Sequence, residues 1–252
     1  MTLSNAEVIV ERPYKTVYRS GDQVIKLFAK DHPKTGVFNE AYIQTCVEEA
    51  GLPVPKVLSV SRIDDCWALA IEYVEGPTLQ ELMDQNPDRY DEYLSQFVDI
   101  QLAVNKFKAS HLRNTKNKME DAINSLKEEI DPSTRYELLQ RLHGMPTHTK
   151  LCHGDFVPSN IVMLPDGGYK ILDWAHATQG NAGADAAITY LKFSLDDPKK
   201  AEHYLRLFCT KSDTAIQYVQ KWLPIVAAEQ LTKQNPDELP LLTKWISVAE
   251  YQ

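Results

Sequence analysis

The chain changes character near Gly76, from short β-like runs to long helical patterns, and this change restricts the folds it can form. Before Gly76 the runs are separated by Gly, Asp or Pro, residues that favour turns. They predict a small antiparallel sheet with strands at residues 7–10, 16–19, 23–28, 57–60 and 67–73. One helix, residues 36–50, interrupts the strands and ends at Gly51, because Pro53 and Pro55 cannot continue it.

Beyond Gly76 apolar residues recur at helical spacing, and Thr134 with Glu137 indicates a capping box that opens one of the helices. A polar, turn-rich island at residues 152–183 interrupts these helices and contains a predicted hairpin around Gly167 and Gly168. The pattern therefore predicts an α+β chain. An N-terminal lobe, residues 1–75, holds the antiparallel sheet and one helix, and a larger, mainly helical lobe spans residues 76–252.

Composition excludes several classes of protein. The net charge of −8, from 27 basic and 35 acidic residues, disfavours a nucleic-acid partner, since nucleic-acid binders concentrate Lys and Arg. No apolar run approaches the roughly 18 to 20 residues that a membrane span needs, and the first residues lack the pattern of a secretory signal. No membrane partner is therefore expected, and the four scattered cysteines predict reduced, unligated thiols in a cytoplasm.

The polar island carries three side chains with the chemistry of phosphoryl transfer. Asn160 follows Asp155 by five positions, and Asp173 follows Asn160 by thirteen. Phosphoryl transfer needs one carboxylate that takes the proton from the hydroxyl group receiving the phosphate. It also needs an amide oxygen and a second carboxylate that hold Mg²⁺ against the phosphates. Because the predicted hairpin returns the chain to its starting end, Asn160 and Asp173 are expected to meet there.

The island resembles the catalytic segment of the aminoglycoside phosphotransferase and choline kinase-like families, which share the two-lobed protein-kinase-like fold. The resemblance rests on His153-Gly154-Asp155, on Asn160 and on Ile171-Leu172-Asp173-Trp174. It implies an ATP-dependent kinase in which Asp155 is the catalytic base and Asn160 and Asp173 bind Mg²⁺. It also implies that Asp185 supports the catalytic loop, although a helix N-cap would explain Asp185 equally well.

The resemblance extends to the N-terminal strands. Lys26 lies within an apolar strand, so it either has an anionic partner or points to solvent from an edge. The family's Lys-Glu ion pair assigns Lys26 to the α/β-phosphates and Glu40 as its partner. Adenine is expected to contact the backbone from Glu72 to Val74, since a purine edge needs one acceptor and one donor.

One feature departs from the family. The turn between the first two strands, around Pro13 and Tyr14, has no glycine, which disfavours backbone cradling of the γ-phosphate, and Lys15 or Thr16 is expected to supply donors instead. A catalytically silent nucleotide-binding module is therefore one alternative. A protein kinase is disfavoured, because Arg is absent between His153 and Asp155 and too few residues lie between Asp173 and Asp185 for an activation segment.

The acceptor is a small molecule whose identity the sequence leaves open. The negative charge favours a hydroxylated amine such as an aminoglycoside, and choline, homoserine and sugar-type acceptors are the alternatives. Candidate acidic side chains lie beyond Gly76, namely Asp88, Asp91, Glu92, Asp99, Glu120 and Asp121. The sequence does not predict an oligomeric state.

Overall fold

Strands dominate the start of the chain and helices dominate most of the remainder. The computed structural model describes Leu3 and residues 6–246. Its strands are β1 (Glu7–Arg12), β2 (Lys15–Ser20), β3 (Gln23–Phe28), β4 (Val57–Ile63), β5 (Cys66–Glu72), β6 (Lys150–Cys152), β7 (Ile161–Met163), β8 (Tyr169–Ile171) and β9 (Thr178–Gly180). Its helices are α1 (Lys34–Glu49), α2 (Leu79–Gln85), α3 (Tyr90–Val104), α4 (Thr115–Ser125), α5 (Pro132–Gly144), α6 (Ala182–Asp196), α7 (Pro198–Ser212), α8 (Ile216–Gln220), α9 (Leu223–Leu231) and α10 (Leu239–Ile246).

The described chain forms two compact units. Unit 1 comprises Met1–Pro87 and Pro158–His176, and unit 2 comprises Asp88–Val157 and Ala177–Gln252. The predicted lobes, residues 1–75 and 76–252, differ from these units in two segments, because residues 76–87 and 158–176 both group with unit 1. The lobes as functional domains stay a prediction.

In unit 1 the first five strands form one antiparallel sheet in the order β1-β2-β3-β5-β4. Helix α1 covers it through Val37 and Ala41, which pack against Phe28, Leu69 and Ile71. Gly51 follows the helix at φ 87°, a left-handed conformation that glycine adopts without strain, and its N–H caps the Glu48 carbonyl. The predicted antiparallel sheet and its single interrupting helix are confirmed.

The hairpin β7–β8 also belongs to unit 1. Its strands pair Ile161 with Ile171, as the turn signal between them predicts. The Ile171 N–H donates to the Pro53 carbonyl at 2.8 Å, and the Met163 N–H donates to the Pro77 carbonyl at 2.9 Å. These bonds attach both strands of the hairpin to segments that border the sheet.

Unit 2 is mainly helical, and the short pair β6–β9 lies among its helices. Its core is aromatic: Phe97 packs against Phe156, Phe193 and Tyr204, and all four rings are buried. No helix in the described part of the chain is long and apolar enough to cross a membrane.

The predicted start of one helix is wrong. Asp131, not Thr134, caps α5: its carboxylate accepts from the N–H groups of Ser133 and Thr134, and Pro132 is the first helical residue. The Thr134 hydroxyl donates to Asp131 instead of capping a helix of its own. Asp followed by Pro is itself a strong start signal, and it outweighs the Thr134–Glu137 spacing.

Candidate functional site

Lys26 is the centre of a buried ionic cluster in unit 1. Its Nζ lies 2.6 Å from Glu40 Oε1 and 3.1 Å from Asp173 Oδ1, and its side chain is 11% exposed. Burial lowers the pKa of Lys26, but attraction to Asp173 and Glu40 outweighs it and holds the pKa above its ordinary value. Lys26 therefore stays charged, and the alternative that it points to solvent from an edge strand is wrong.

Helical periodicity brings Glu40 to this cluster. Val37, Glu40 and Ala41 share one face of α1, and the two apolar residues pack on the sheet that contains Lys26. Glu40 is therefore carried towards Lys26 by the burial of its neighbours. The predicted Lys26–Glu40 ion pair is confirmed, while nucleotide binding by either residue stays a prediction.

Lys15 lies at the same cluster. It opens β2 directly after the Pro13–Tyr14 turn, and its Nζ is 3.8 Å from Glu40 Oε1. The Lys15 side chain is 12% exposed, so a second ammonium group is held beside Lys26. This position suits the prediction that Lys15 supplies hydrogen-bond donors to the phosphates in place of a glycine-rich turn.

Asn160 and Asp173 meet at one end of the β7–β8 hairpin. The Leu172 N–H donates to the Asn160 carbonyl at 2.7 Å, which sets Asp173 beside the Asn160 backbone. Asp173 has φ 57°, a left-handed conformation that Asp tolerates better than most residues. Its carboxylate is 42% exposed even though one oxygen contacts Lys26.

The donors at this end of the hairpin fit a magnesium ion. Mg²⁺ prefers oxygen ligands and commonly uses one or two carboxylates with phosphate oxygens and water. Asn160 offers an amide oxygen, and Asp173 offers a carboxylate that remains accessible to solvent. The contact between Lys26 and Asp173 is one that the sequence did not predict, because 147 positions separate the two residues.

The segment after β5 carries the predicted adenine contacts. The Tyr73 N–H donates to the Asp22 carbonyl at 2.9 Å and is thereby used within unit 1. Among the described residues, the Val74 N–H donates to no backbone carbonyl. The Glu72 side chain accepts from the Lys56 N–H and lies 3.4 Å from Lys170 Nζ. Its carboxylate therefore anchors the segment, and adenine contacts by the backbones of Glu72 and Val74 stay a prediction.

Asp155 lies in unit 2, on a loop that follows β6. Its backbone N–H donates to His153 Nδ1 at 3.2 Å, and His153 is fully buried. The Gly154 N–H donates to Asp185 Oδ1 at 2.8 Å. Asp185 is 1% exposed and lies inside the first turn of α6, whose N-cap is Asn181. The predicted support of the loop by Asp185 is confirmed, and the N-cap alternative is wrong.

The backbone of the loop also affects the pKa of Asp185. Burial raises the pKa of Asp185, while hydrogen bonds from the backbone of Gly154 and His153 oppose the rise. Gly154 has φ 79°, so glycine lets the loop bend while its N–H faces the carboxylate.

A second anchor lies just after Asp155. The Thr189 hydroxyl donates to the Phe156 carbonyl at 2.9 Å and accepts from the Gln101 amide at 3.1 Å. Tyr204 completes the network by donating to Gln101 Oε1 at 2.7 Å. The sequence did not predict this network, because its members come from three helices with no spacing signal between them. Phe156 is thus tied to the helical core, which restricts the loop that presents Asp155.

Comparisons with known proteins give one family match and several solved structures of similar fold. The profile of the Phosphotransferase enzyme family matches residues 12–239. One similar solved structure is a thermostable mutant of aminoglycoside phosphotransferase APH(4)-Ia in a ternary complex with ADP and hygromycin B. It gives a TM-score of 0.71 at 16% identity over 96% of this chain and 92% of that chain. No curated protein gives a significant match.

Two further structures have the same fold. Aminoglycoside phosphotransferase APH(3'')-Id from Streptomyces rimosus gives a TM-score of 0.62 at 18% identity, over 88% of this chain and 92% of that chain. A choline/ethanolamine kinase family protein from Mesorhizobium loti gives 0.59 at 16% identity, over 98% and 89%. These likenesses confirm the α+β, protein-kinase-like fold class predicted from the sequence.

Proposed function

Because the chain belongs to the Phosphotransferase enzyme family, we propose that it transfers the γ-phosphate of ATP to a hydroxyl group of a small molecule. The observation that carries the proposal is the contact of Lys26 with both Glu40 and Asp173 in unit 1. Lys26 is a buried positive charge that can bind phosphate groups. The Asp173 carboxylate beside it is still accessible and can bind the metal ion that accompanies those phosphates. The similar structures solved with ADP or AMP-PNP support nucleotide use.

Each residue has one role in the proposal. Lys26, oriented by Glu40, contacts the α- and β-phosphates, and the backbones of Glu72 and Val74 contact adenine. Asn160 and Asp173 hold Mg²⁺, which when bound neutralises charge on the transferring phosphate. Asp155 orients the acceptor hydroxyl and accepts its proton as the new O–P bond forms and the bond from the γ-phosphorus to the bridging oxygen breaks, which releases ADP.

The acidic residues that favoured an amine acceptor give little support to that class. Of the six, Asp99 lies 2.6 Å from Lys211, and Glu92 lies 2.6 Å from Arg89. Asp91 is 83% exposed, and Glu120 and Asp121 pair with His143 and Arg113. Most are therefore solvated, paired surface groups, and the hydroxylated amine stays a prediction.

The four free cysteines support a reducing compartment such as the cytoplasm.

Replacement of the base tests the proposal. We expect Asp155→Asn to abolish transfer while nucleotide affinity stays nearly intact, because an amide cannot accept the hydroxyl proton and the residue binds no phosphate. The measurement is Mg-ATP turnover with a pool of hydroxylated acceptors, read by mass, alongside a nucleotide titration. Asp213→Asn is the matched control, because Asp213 is an exposed aspartate of the same unit and is not among the candidate acceptor ligands. Turnover of Asp155→Asn within about tenfold of wild type would overturn the role.

A further inference from the structure

Lys15 is a largely buried lysine of unit 1 that has no assigned role in the proposed function. It is the first residue of β2, and its side chain is 12% exposed. Its Nζ lies 3.8 Å from Glu40 Oε1, the same oxygen that Lys26 Nζ contacts at 2.6 Å. A separation of 3.8 Å is longer than a hydrogen bond, so Glu40 attracts the Lys15 ammonium group but accepts none of its N–H donors. Lys15 therefore holds hydrogen-bond donors beside the lysine that is proposed to bind phosphates.

The strand register decides which residue after the turn faces this cluster. Opposite residues of an antiparallel pair share a face of the sheet, and Lys15 pairs with Phe28 of β3. Phe28 is two positions beyond Lys26 on the same strand, so Lys15 and Lys26 lie on one face. Thr16 pairs with Leu27 and therefore lies on the opposite face. Of the two donors expected from the sequence, Lys15 is the one that lies at the cluster.

The same register sets the order of these groups along the sheet. β3 begins at Gln23, which pairs with Glu72 at the predicted adenine contacts. Lys26 follows three positions later, and Lys15 lies opposite Phe28, two positions further on. At about 3.4 Å per residue, these steps are about 10 Å and about 7 Å. A nucleotide with its adenine at Glu72 and its α- and β-phosphates at Lys26 therefore extends its terminal phosphate towards Lys15.

The turn before Lys15 is held in place by the backbone and by two rings. Arg12 pairs with Lys15 across the turn, and the Ala29 N–H donates to the Tyr14 carbonyl at 2.9 Å. The Lys15 ammonium group lies 5.9 Å from the centre of the Tyr14 ring and 6.0 Å from that of the Phe28 ring, at the limit for a cation–π contact. The turn thus presents a positioned ammonium group, where a glycine-rich turn would present backbone N–H groups.

We propose that Lys15 binds the γ-phosphate and makes the site selective for nucleoside triphosphates over diphosphates. This inference rests on the proposed function and names a specificity-determining residue of that site. A hydrogen bond from an ammonium group to a phosphate oxygen is charge-assisted, so it is stronger than one from a neutral donor. ADP lacks the phosphate that Lys15 contacts. It is therefore bound more weakly than ATP and leaves more readily after transfer.

The test measures nucleotide binding to the full chain without an acceptor. Isothermal titration calorimetry in the presence of Mg²⁺ gives the dissociation constants of ADP and of AMP-PNP, an analogue that keeps the γ-phosphate but resists cleavage. We expect Lys15→Met to weaken AMP-PNP binding about tenfold or more and to change ADP binding by less than about twofold. Methionine is chosen because it keeps an apolar stem beside the Tyr14 and Phe28 rings. Thermal unfolding shows whether the variant is folded, and Lys15→Gln takes its place if it is not.

Further variants serve as controls. Lys15→Arg should retain the preference for AMP-PNP, because the positive charge is kept. Thr16→Val and Lys30→Gln should bind both nucleotides like wild type, since Thr16 lies on the other face of the sheet and Lys30 is 74% exposed. Lys26→Ala should instead weaken both nucleotides, because ADP also carries the phosphates assigned to Lys26.

Two results would overturn the inference. One is unchanged AMP-PNP binding in Lys15→Met, and a selective loss in Thr16→Val would then identify Thr16 as the donor. The other is an equal loss of AMP-PNP and ADP binding in Lys15→Met, which would mean that Lys15 acts only by holding Glu40 and Lys26. If wild type binds neither nucleotide, the proposed function fails as well. If wild type binds both and either result is found, only this inference is refuted.

Discussion

Lys26 and Lys30 lie on or beside the same strand but differ sharply in surroundings. Lys26 is 11% exposed between two carboxylates, whereas Lys30 is 74% exposed and pairs with Asp65. We expect Lys26→Met to lower the free energy of unfolding by about 3 kcal/mol, because Glu40 and Asp173 would lose their shared cation. Lys30→Met should cost less than about 1 kcal/mol. Urea unfolding measures both, and equal losses would contradict the expectation.

Lys26 also determines how the stability of the fold depends on pH. The pKa of Lys26 is raised in the folded state, so its contribution to stability is complete below its unfolded pKa of about 10.4 and is lost only as pH rises through the higher folded value. The stability gap between wild type and Lys26→Met should therefore stay constant between about pH 6 and pH 9. Urea unfolding across this range checks it, and a gap that shrinks towards pH 9 would show that Lys26 deprotonates early.

At the scale of elements, local signals carried most of the information. The strands of the N-terminal sheet were predictable from short β-like runs between turn residues, helix α1 from its terminal glycine, and hairpin β7–β8 from its turn sequence. The predicted start of α5 was wrong because two possible N-cap residues, Asp131 and Thr134, lie three positions apart. The support of the catalytic loop by Thr189 and Gln101 could not be predicted, because it depends on how distant helices pack.

Gly76 marks the close approach of two elements. It has φ 148°, and a Cβ there would lie 2.2 Å from the Met163 carbonyl oxygen of β7. We expect Gly76→Ala to cost about 3 kcal/mol, from strain together with displacement of the hairpin that carries Asn160 and Asp173. Gly21→Ala is the control, since Gly21 has φ 60° but open space around it, and should cost about 1 kcal/mol. Thermal unfolding compares them, and equal costs would mean that the contact yields easily.

At the scale of the whole molecule, the sequence predicted the fold class, but it did not indicate which distant segments bond to one another. The hairpin belongs to unit 1 because its strands bond to Pro53 and Pro77, which are about a hundred positions away in the chain. Motif spacing records which residues are present and in what order. It carries no information on bonds between distant segments. The contact of Asp173 with Lys26 could not be predicted for the same reason.

Ligand-induced stabilisation tests the metal role across the entire fold. A ligand at about 100 times its dissociation constant stabilises a protein by about 2.7 kcal/mol, which raises the melting temperature by roughly 5 to 10 °C at this size. We expect Mg²⁺ to increase the stabilisation by ATP in wild type, and Asp173→Asn to remove that increment. Asn is the chosen replacement because it tolerates the φ of 57° at this position. Asp166→Asn, in the exposed turn of the same hairpin, should respond like wild type. If the melting temperature of Asp173→Asn rises with Mg²⁺ as steeply as that of wild type, Asp173 does not hold the metal ion.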